Sequence, residues 1–163
     1  KAEAEFVALR GWIFAQVVAR FRAEDGWVCL LEEDWILVRR ARWPVPAEEW
    51  LALVVVLSDL DAVLGGVPGE GWFAAVSLPT DGDFDDEGFT AQLRARVDPV
   101  AWRAYLSPVW PGYALGRALP PPAVGAEVST AVAHQVLSEL EALAGLVPVI
   151  DAVLAGMSDA AGR

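Results

Sequence analysis

The residues most suggestive of chemistry are the carboxylates of Asp81-Gly82-Asp83-Phe84-Asp85-Asp86-Glu87. Acids at alternate positions are how a calcium loop begins. Such a loop needs glycine at its sixth place and glutamate at its twelfth. Those places hold Asp86 and Gln92, so a solvated acidic loop is the expectation and no metal site is assigned. Arg39, Arg40 and Arg42 lie between Trp35 and Trp43, and Arg94 and Arg96 follow later. Arginines beside aromatic rings are how single-stranded nucleic acid is stacked, and the five could form a basic face if their segments share a sheet. The lone histidine, His134, has no cysteine or acid at ligand spacing beside it, and a single histidine seldom holds a metal. Cys29 sits in an apolar run, where a thiol behaves as a small hydrophobe. No GxSxG elbow, GxxxxGK[ST] loop or GxGxxG turn occurs, so nucleophilic hydrolysis and nucleotide binding lack their usual signatures. No catalytic residue and no cofactor are expected.

What the chain does have is apolar and aromatic surface. Its 163 residues are 55% hydrophobic and include eight tryptophans. Each such ring buries about 150–250 Å², and tryptophan is over-represented where proteins bind one another. Binding is therefore favoured over catalysis. Trp35, Trp43 and Trp110 are the candidates for a partner-facing set. The net charge of −11 argues against nucleic acid and anionic membrane as partners and suits solubility or a basic protein. One cysteine allows no intrachain disulfide, which leans toward a reducing, cytoplasmic setting. No charged n-region followed by an apolar h-region heads the sequence, so no secretory leader is expected. The longest apolar stretch, Trp50 to Leu57, falls far short of the roughly 20 residues a bilayer span needs.

The elements that must position these residues are read from periodicity. Residues 2–23 have helical spacing, with Phe6, Leu9, Trp12, Ile13, Val17 and Phe21 on a wide apolar face. Asp25-Gly26 ends that helix. Trp27 to Leu31 and Trp35 to Trp43 read as strands joined by the turn Glu32-Glu33-Asp34. In the second strand Ile36 and Val38 face one way and Trp35, Leu37 and Trp43 the other. Residues 47–64 read as a helix apolar nearly all round, closed by Gly65-Gly66. Such a helix is buried on more than one side. Leu53, Val54, Leu57, Leu60 and Leu64 are therefore expected in a dimer interface or deep in the core. Trp72 to Leu78 reads as a third strand. Phe89 to Val97 alternates apolar and polar, which predicts a strand and a hairpin with an acidic tip. Asp98-Pro99 starts a short helix to about Leu106. Residues 107–125 read as an irregular proline-rich arm, and 128–157 as a final helical region interrupted near Pro148. One α+β domain with an antiparallel sheet follows.

This order of elements resembles the bacterial type III secretion chaperone-like fold, including the YbjN-like proteins. The matching stretches are WILVRRARWPVPAEEWLALVVVLSDLDAVLGG from Trp35 to Gly66, then GWFAAVSLPTDG, then FTAQLRARV, then the helix from Ser129. The resemblance implies a cytoplasmic, non-catalytic homodimer that holds partner proteins through apolar grooves along its first helix and sheet. The inserted segment 99–126 departs from the minimal pattern. A second reading is an acidic inhibitor, of immunity-protein or antitoxin type, covering a basic partner. A weak nucleic-acid-associated protein is the third.

Overall fold

The computed structural model describes residues 2–43, 51–58, 71–79, 83–106, 111–121 and 127–161. The fold is α+β. Helix α1 (Ala2–Phe21) leads into five strands, β1 (Trp27–Glu32), β2 (Trp35–Arg40), β3 (Ala52–Leu57), β4 (Trp72–Ser77) and β5 (Tyr113–Ala118). Between β4 and β5 lie α2 (Asp86–Arg96) and the single turn α3 (Arg103–Leu106). Helices α4 (Val128–Ala144) and α5 (Val147–Ala161) close the chain. The strands form one antiparallel sheet in sequence order, β1 to β5.

Glu33 and Asp34 make the tight turn between β1 and β2, and Glu33 takes the left-handed conformation with φ 52°. Arg10 of α1 donates to the Glu33 carbonyl at 2.9 Å, and Asp34 accepts from the Ser58 hydroxyl at 2.8 Å. The turn is thus tied to α1 and to the end of β3. Successive strand residues point to opposite faces, so the sheet has two apolar clusters. Ile36, Val38, Leu53, Val55, Leu57, Trp72, Ala74 and Val76 pack with buried residues of the helices in the main core. Leu37, Ala52, Val54, Val56, Phe73 and Ala75 form a smaller cluster on the other face, with Trp35 and Tyr113 against it.

Three expectations are corrected. Ala52–Leu57 is a strand rather than part of a helix. All of Ala52–Leu57 is buried and paired with β4, and Leu53 to Val56 pair with β2 as well. Leu53, Val54 and Leu57 are therefore enclosed within one subunit and offer nothing to a dimer partner. Leu60 and Leu64 lie outside the described residues. The alternating segment Phe89 to Val97 is helical, and the hairpin expected there does not form. Phe89, Leu93 and Val97 are buried at i, i+4 and i+8, while Ala91 and Ala95 face water. Alanine tolerates solvent and favours helix, so it mimicked the apolar half of a period-2 pattern. The supposed irregular arm contains β5, which completes the sheet beside β4. The last helical region is interrupted near Pro148 as expected, in two helices bent by 44°. The break falls at Gly145-Leu146, and Pro148 sits in the first turn of α5, where it costs no backbone hydrogen bond.

Candidate functional site

Beyond Arg40 the chain turns sharply, with the Ala41 amide donating to the Gly26 carbonyl at 2.8 Å and the Trp43 amide to the Arg40 carbonyl at 3.0 Å. The turn swings Trp43 off the sheet and into the main core, where it is 2% exposed. Its indole edge meets α5, and Nε1 donates to Asp151 Oδ1 at 2.9 Å. Arg42, beside it, pairs with Asp151 Oδ2. On α5, Asp151, Leu154, Ala155 and Ser158 recur at i, i+3, i+4 and i+7, one side of the helix.

The opposite wall comes from the approach to α2. Asp85 caps that helix, accepting from the Gly88 amide at 3.0 Å. Acids in the first turn also complement the positive helix end. Phe84 packs against Phe89 with ring centroids 5.5 Å apart. Nearly two turns into α2, Gln92 reaches α5 where Gly156 leaves room: a Cβ there would stand 3.9 Å from Gln92 Oε1.

Between these walls runs an open groove of about 820 Å³. Among the described residues, Trp43, Phe84, Leu154 and Met157 supply its apolar surface, and Asp83, Asp85 and Asp151 its acids, with Arg42 as cation. A volume of this size suits a small molecule or a few side chains of a protein segment. Burial pushes the Asp151 carboxyl up. The hydrogen bonds from Arg42 and Trp43 and the charges of Arg42 and Arg40 outweigh this and hold it below its ordinary value. Burial and the neighbouring Asp85 charge together push Asp86 up.

A second arginine–carboxylate pair lies at the β5–α4 junction. Arg117 grips Glu139 with two bonds, Nε to Oε1 at 2.9 Å and Nη2 to Oε2 at 2.7 Å, and stacks over Tyr105. Nearby, the Pro120 carbonyl accepts from Trp72 Nε1 at 2.9 Å and from Gln135 at 2.7 Å. Glu139 is 5% exposed, and burial pushes its carboxyl up to about 7. Burial moves Arg117 toward neutrality as well, downward.

The structure disperses most of the residues singled out from sequence. Trp43 is a core residue with only its edge at the groove, so it is no open partner-facing ring. Trp35 is half-buried beside Tyr113, ring centroids 6.1 Å apart, on the smaller-cluster face. Trp110 lies outside the described residues. The five arginines do not make one basic face. Arg39 is buried and donates to the Trp43 carbonyl. Arg40 lies over the Trp27 ring at 4.8 Å, and Arg42 is engaged by Asp151. Arg94 and Arg96 are on helix α2, with Arg94 donating to the Ala114 carbonyl at 3.2 Å. Cys29 is buried in β1. Burial raises its thiol despite the opposing charge of Arg22, which disfavours the reactive thiolate. His134 is exposed on α4. The acidic run supplies Asp83 and Asp85 to the groove, a role that its spacing alone did not indicate.

Trp12, read from the sequence together with the apolar residues of the first helix, is instead 46% exposed on α1. The signal was present, because Trp12 lies on the side of α1 away from Phe6, Ile13, Val17 and Phe21 when the helix is drawn at 3.6 residues per turn. Among the described residues, no three His, Cys, Asp or Glu side chains are placed to hold a metal ion. No single described helix is long and apolar enough to cross a membrane. No family model, curated protein or solved structure matches this chain.

Proposed function

We propose that this chain is a non-catalytic protein-binding module, chaperone-like or adaptor in character, which holds a segment of a partner protein in the groove between α2 and α5. The observation that carries the reading is the groove's composition. Apolar side chains, Phe84, Leu154 and Met157, lie between carboxylates at Asp83, Asp85 and Asp151. Methionine and aromatic surface adapts to varied apolar side chains, and the acids favour a segment that carries lysine or arginine beside its apolar anchors.

The test is selection from a displayed peptide library against the wild type and against Met157→Asp. Binding is read by the shift of the Trp43 indole N–H resonance. The reading predicts enrichment of basic-apolar peptides that move this resonance and are lost with the variant. No enrichment, or peptides that bind the variant equally, overturns it. The second reading, an acidic inhibitor over a basic partner, draws support from the net charge of −11. Salt separates the two. An apolar groove keeps its peptide at high ionic strength, whereas charge-driven coverage is lost.

A further inference from the structure

The Asp151 carboxylate is held unequally on its two sides. Oδ1 accepts from Trp43 Nε1 at 2.9 Å, and that indole is buried in the core. Oδ2 meets Arg42, whose side chain stands half in water. One oxygen is thus pinned by a buried donor, and the other meets an exposed cation at the groove. Arg42 hangs from a fixed backbone, because the amides of Ala41 and Trp43 on either side of it donate to the Gly26 and Arg40 carbonyls. Its side chain can leave Asp151 with no change in the main chain. An ion pair with this much water around it is weak, so little holds Arg42 in place.

We infer that Asp151 is an arginine-reading subsite of this groove, occupied in the free chain by Arg42 and taken over by an arginine of the bound partner segment. The role rests on the groove being where that segment binds. Among the described residues, three carboxylates, Asp83, Asp85 and Asp151, line the groove against the one guanidinium of Arg42. The groove therefore stays negative with Arg42 in place and attracts a cation. Asp83 and Asp85 stand exposed on the approach to α2, and Asp85 is committed to the Gly88 amide. Asp151 is less exposed, with the apolar groove residues Leu154 and Met157 on the same helix. An ion pair strengthens as water is excluded, so an arginine that docks at Asp151 beside apolar anchors gains more than it would at the rim.

The group this carboxylate already takes is a guanidinium. A guanidinium is flat and weakly hydrated, so it suits a site walled by Phe84 and Leu154 better than a strongly hydrated ammonium does. Arg42 then acts as a built-in competitor. A segment without arginine leaves Arg42 on Asp151 and gains apolar contact alone, whereas one with arginine gains the ion pair as well. The apparent affinity for the arginine segment is lowered by the fraction of chains whose Asp151 is engaged by Arg42. Removing Arg42 therefore tightens binding to arginine and leaves neutral segments unaffected.

The test uses an acetylated, amidated peptide of leucines around one arginine, with counterparts that carry lysine or citrulline, the neutral isostere, in its place. Affinities for the full chain are read from the Trp43 indole N–H resonance. The arginine peptide is expected to bind Arg42→Gln about 5-fold more tightly than wild type, and the citrulline peptide to bind both alike. The lysine peptide is expected to gain less than the arginine one. Asp151→Asn is expected to lose most of the preference for arginine over citrulline. An arginine peptide that gains nothing from Arg42→Gln overturns the inference. So does a lysine peptide that gains as much, or a preference for arginine that survives in full in Asp151→Asn. These outcomes leave the groove itself standing wherever the peptides bind wild type and are lost with Met157→Asp. Peptides that bind Met157→Asp as well as wild type, or that bind neither, overturn the groove as the binding site, and the arginine subsite with it.

Discussion

Two arginine–carboxylate pairs, chemically alike, behave as opposites because of where the fold puts them. Arg117–Glu139 is closed in between β5 and α4, with side-chain exposures of 33% and 6%. It has two parallel bonds and an aromatic ring beneath the guanidinium. Arg42–Asp151 stands open at the groove, with exposures of 52% and 32%, and an indole N–H shares the carboxylate. Burial dominates at the first, pushing Glu139 up to about 7. Donors and positive charge dominate at the second, holding Asp151 down. Desolvation grows steeply with enclosure while attraction between partners is moderated by nearby water. The enclosed pair therefore sits where losing one partner strands a poorly hydrated charge, whereas the open one keeps water within reach of both charges.

Truncating the enclosed pair should show the largest effect. Glu139→Ala leaves a largely buried guanidinium without its partner and is expected to cost about 3 kcal/mol in urea unfolding. A loss below 1 kcal/mol would erase the distinction between the two pairs. Trp43→Phe keeps a ring in the core but removes the donor to Asp151. It is expected to cost about 2 kcal/mol and to raise the Asp151 pKa, read by carboxyl NMR titration.

The smallest effect belongs to Asp151→Asn, expected below about 1 kcal/mol at neutral pH, and pH separates the two carboxylates. Glu139 has a folded pKa above its ordinary 4.5, near 7. Its contribution to stability is thus full below 4.5 and is lost as pH rises through about 7. Asp151 has a folded value below its ordinary 3.8, so its contribution is present above that value and is lost as pH falls through the folded pKa. Unfolding midpoints across pH should lose the first slope in Glu139→Gln and the second in Asp151→Asn.

Legibility from sequence followed the same division between local and enclosed. Helix α1, the β1–β2 hairpin, β4 and the interruption near Pro148 were readable, because each is written in spacing, a turn signal or a proline. The run Leu51 to Leu57 was not, because a segment buried on both sides has no polar positions to reveal its period. Val54, Val55 and Val56 were the remaining hint, since β-branched side chains suit a strand. Helix α2 was missed for the converse reason, with alanine at 91 and 95 fitting either period. Strand β5 was hidden by Gly116 and the flanking prolines. Of the groove, the acids and Trp43 were noticed singly. Their meeting with Leu154 and Met157 was not, because no local pattern links residues so far apart in the chain.

The sequence by itself determined that this protein is acidic, aromatic-rich and α+β. The tertiary structure alone decided that Ala52–Leu57 is a strand, since that choice is made by hydrogen bonds to β2 and β4. It also decided that Asp151 meets Arg42 across the chain while Glu139 is closed in against Arg117. A carboxylate's charge is written in its residue type. Whether that charge is easy or costly to keep depends on the water and partners around it, and only the assembled fold sets those.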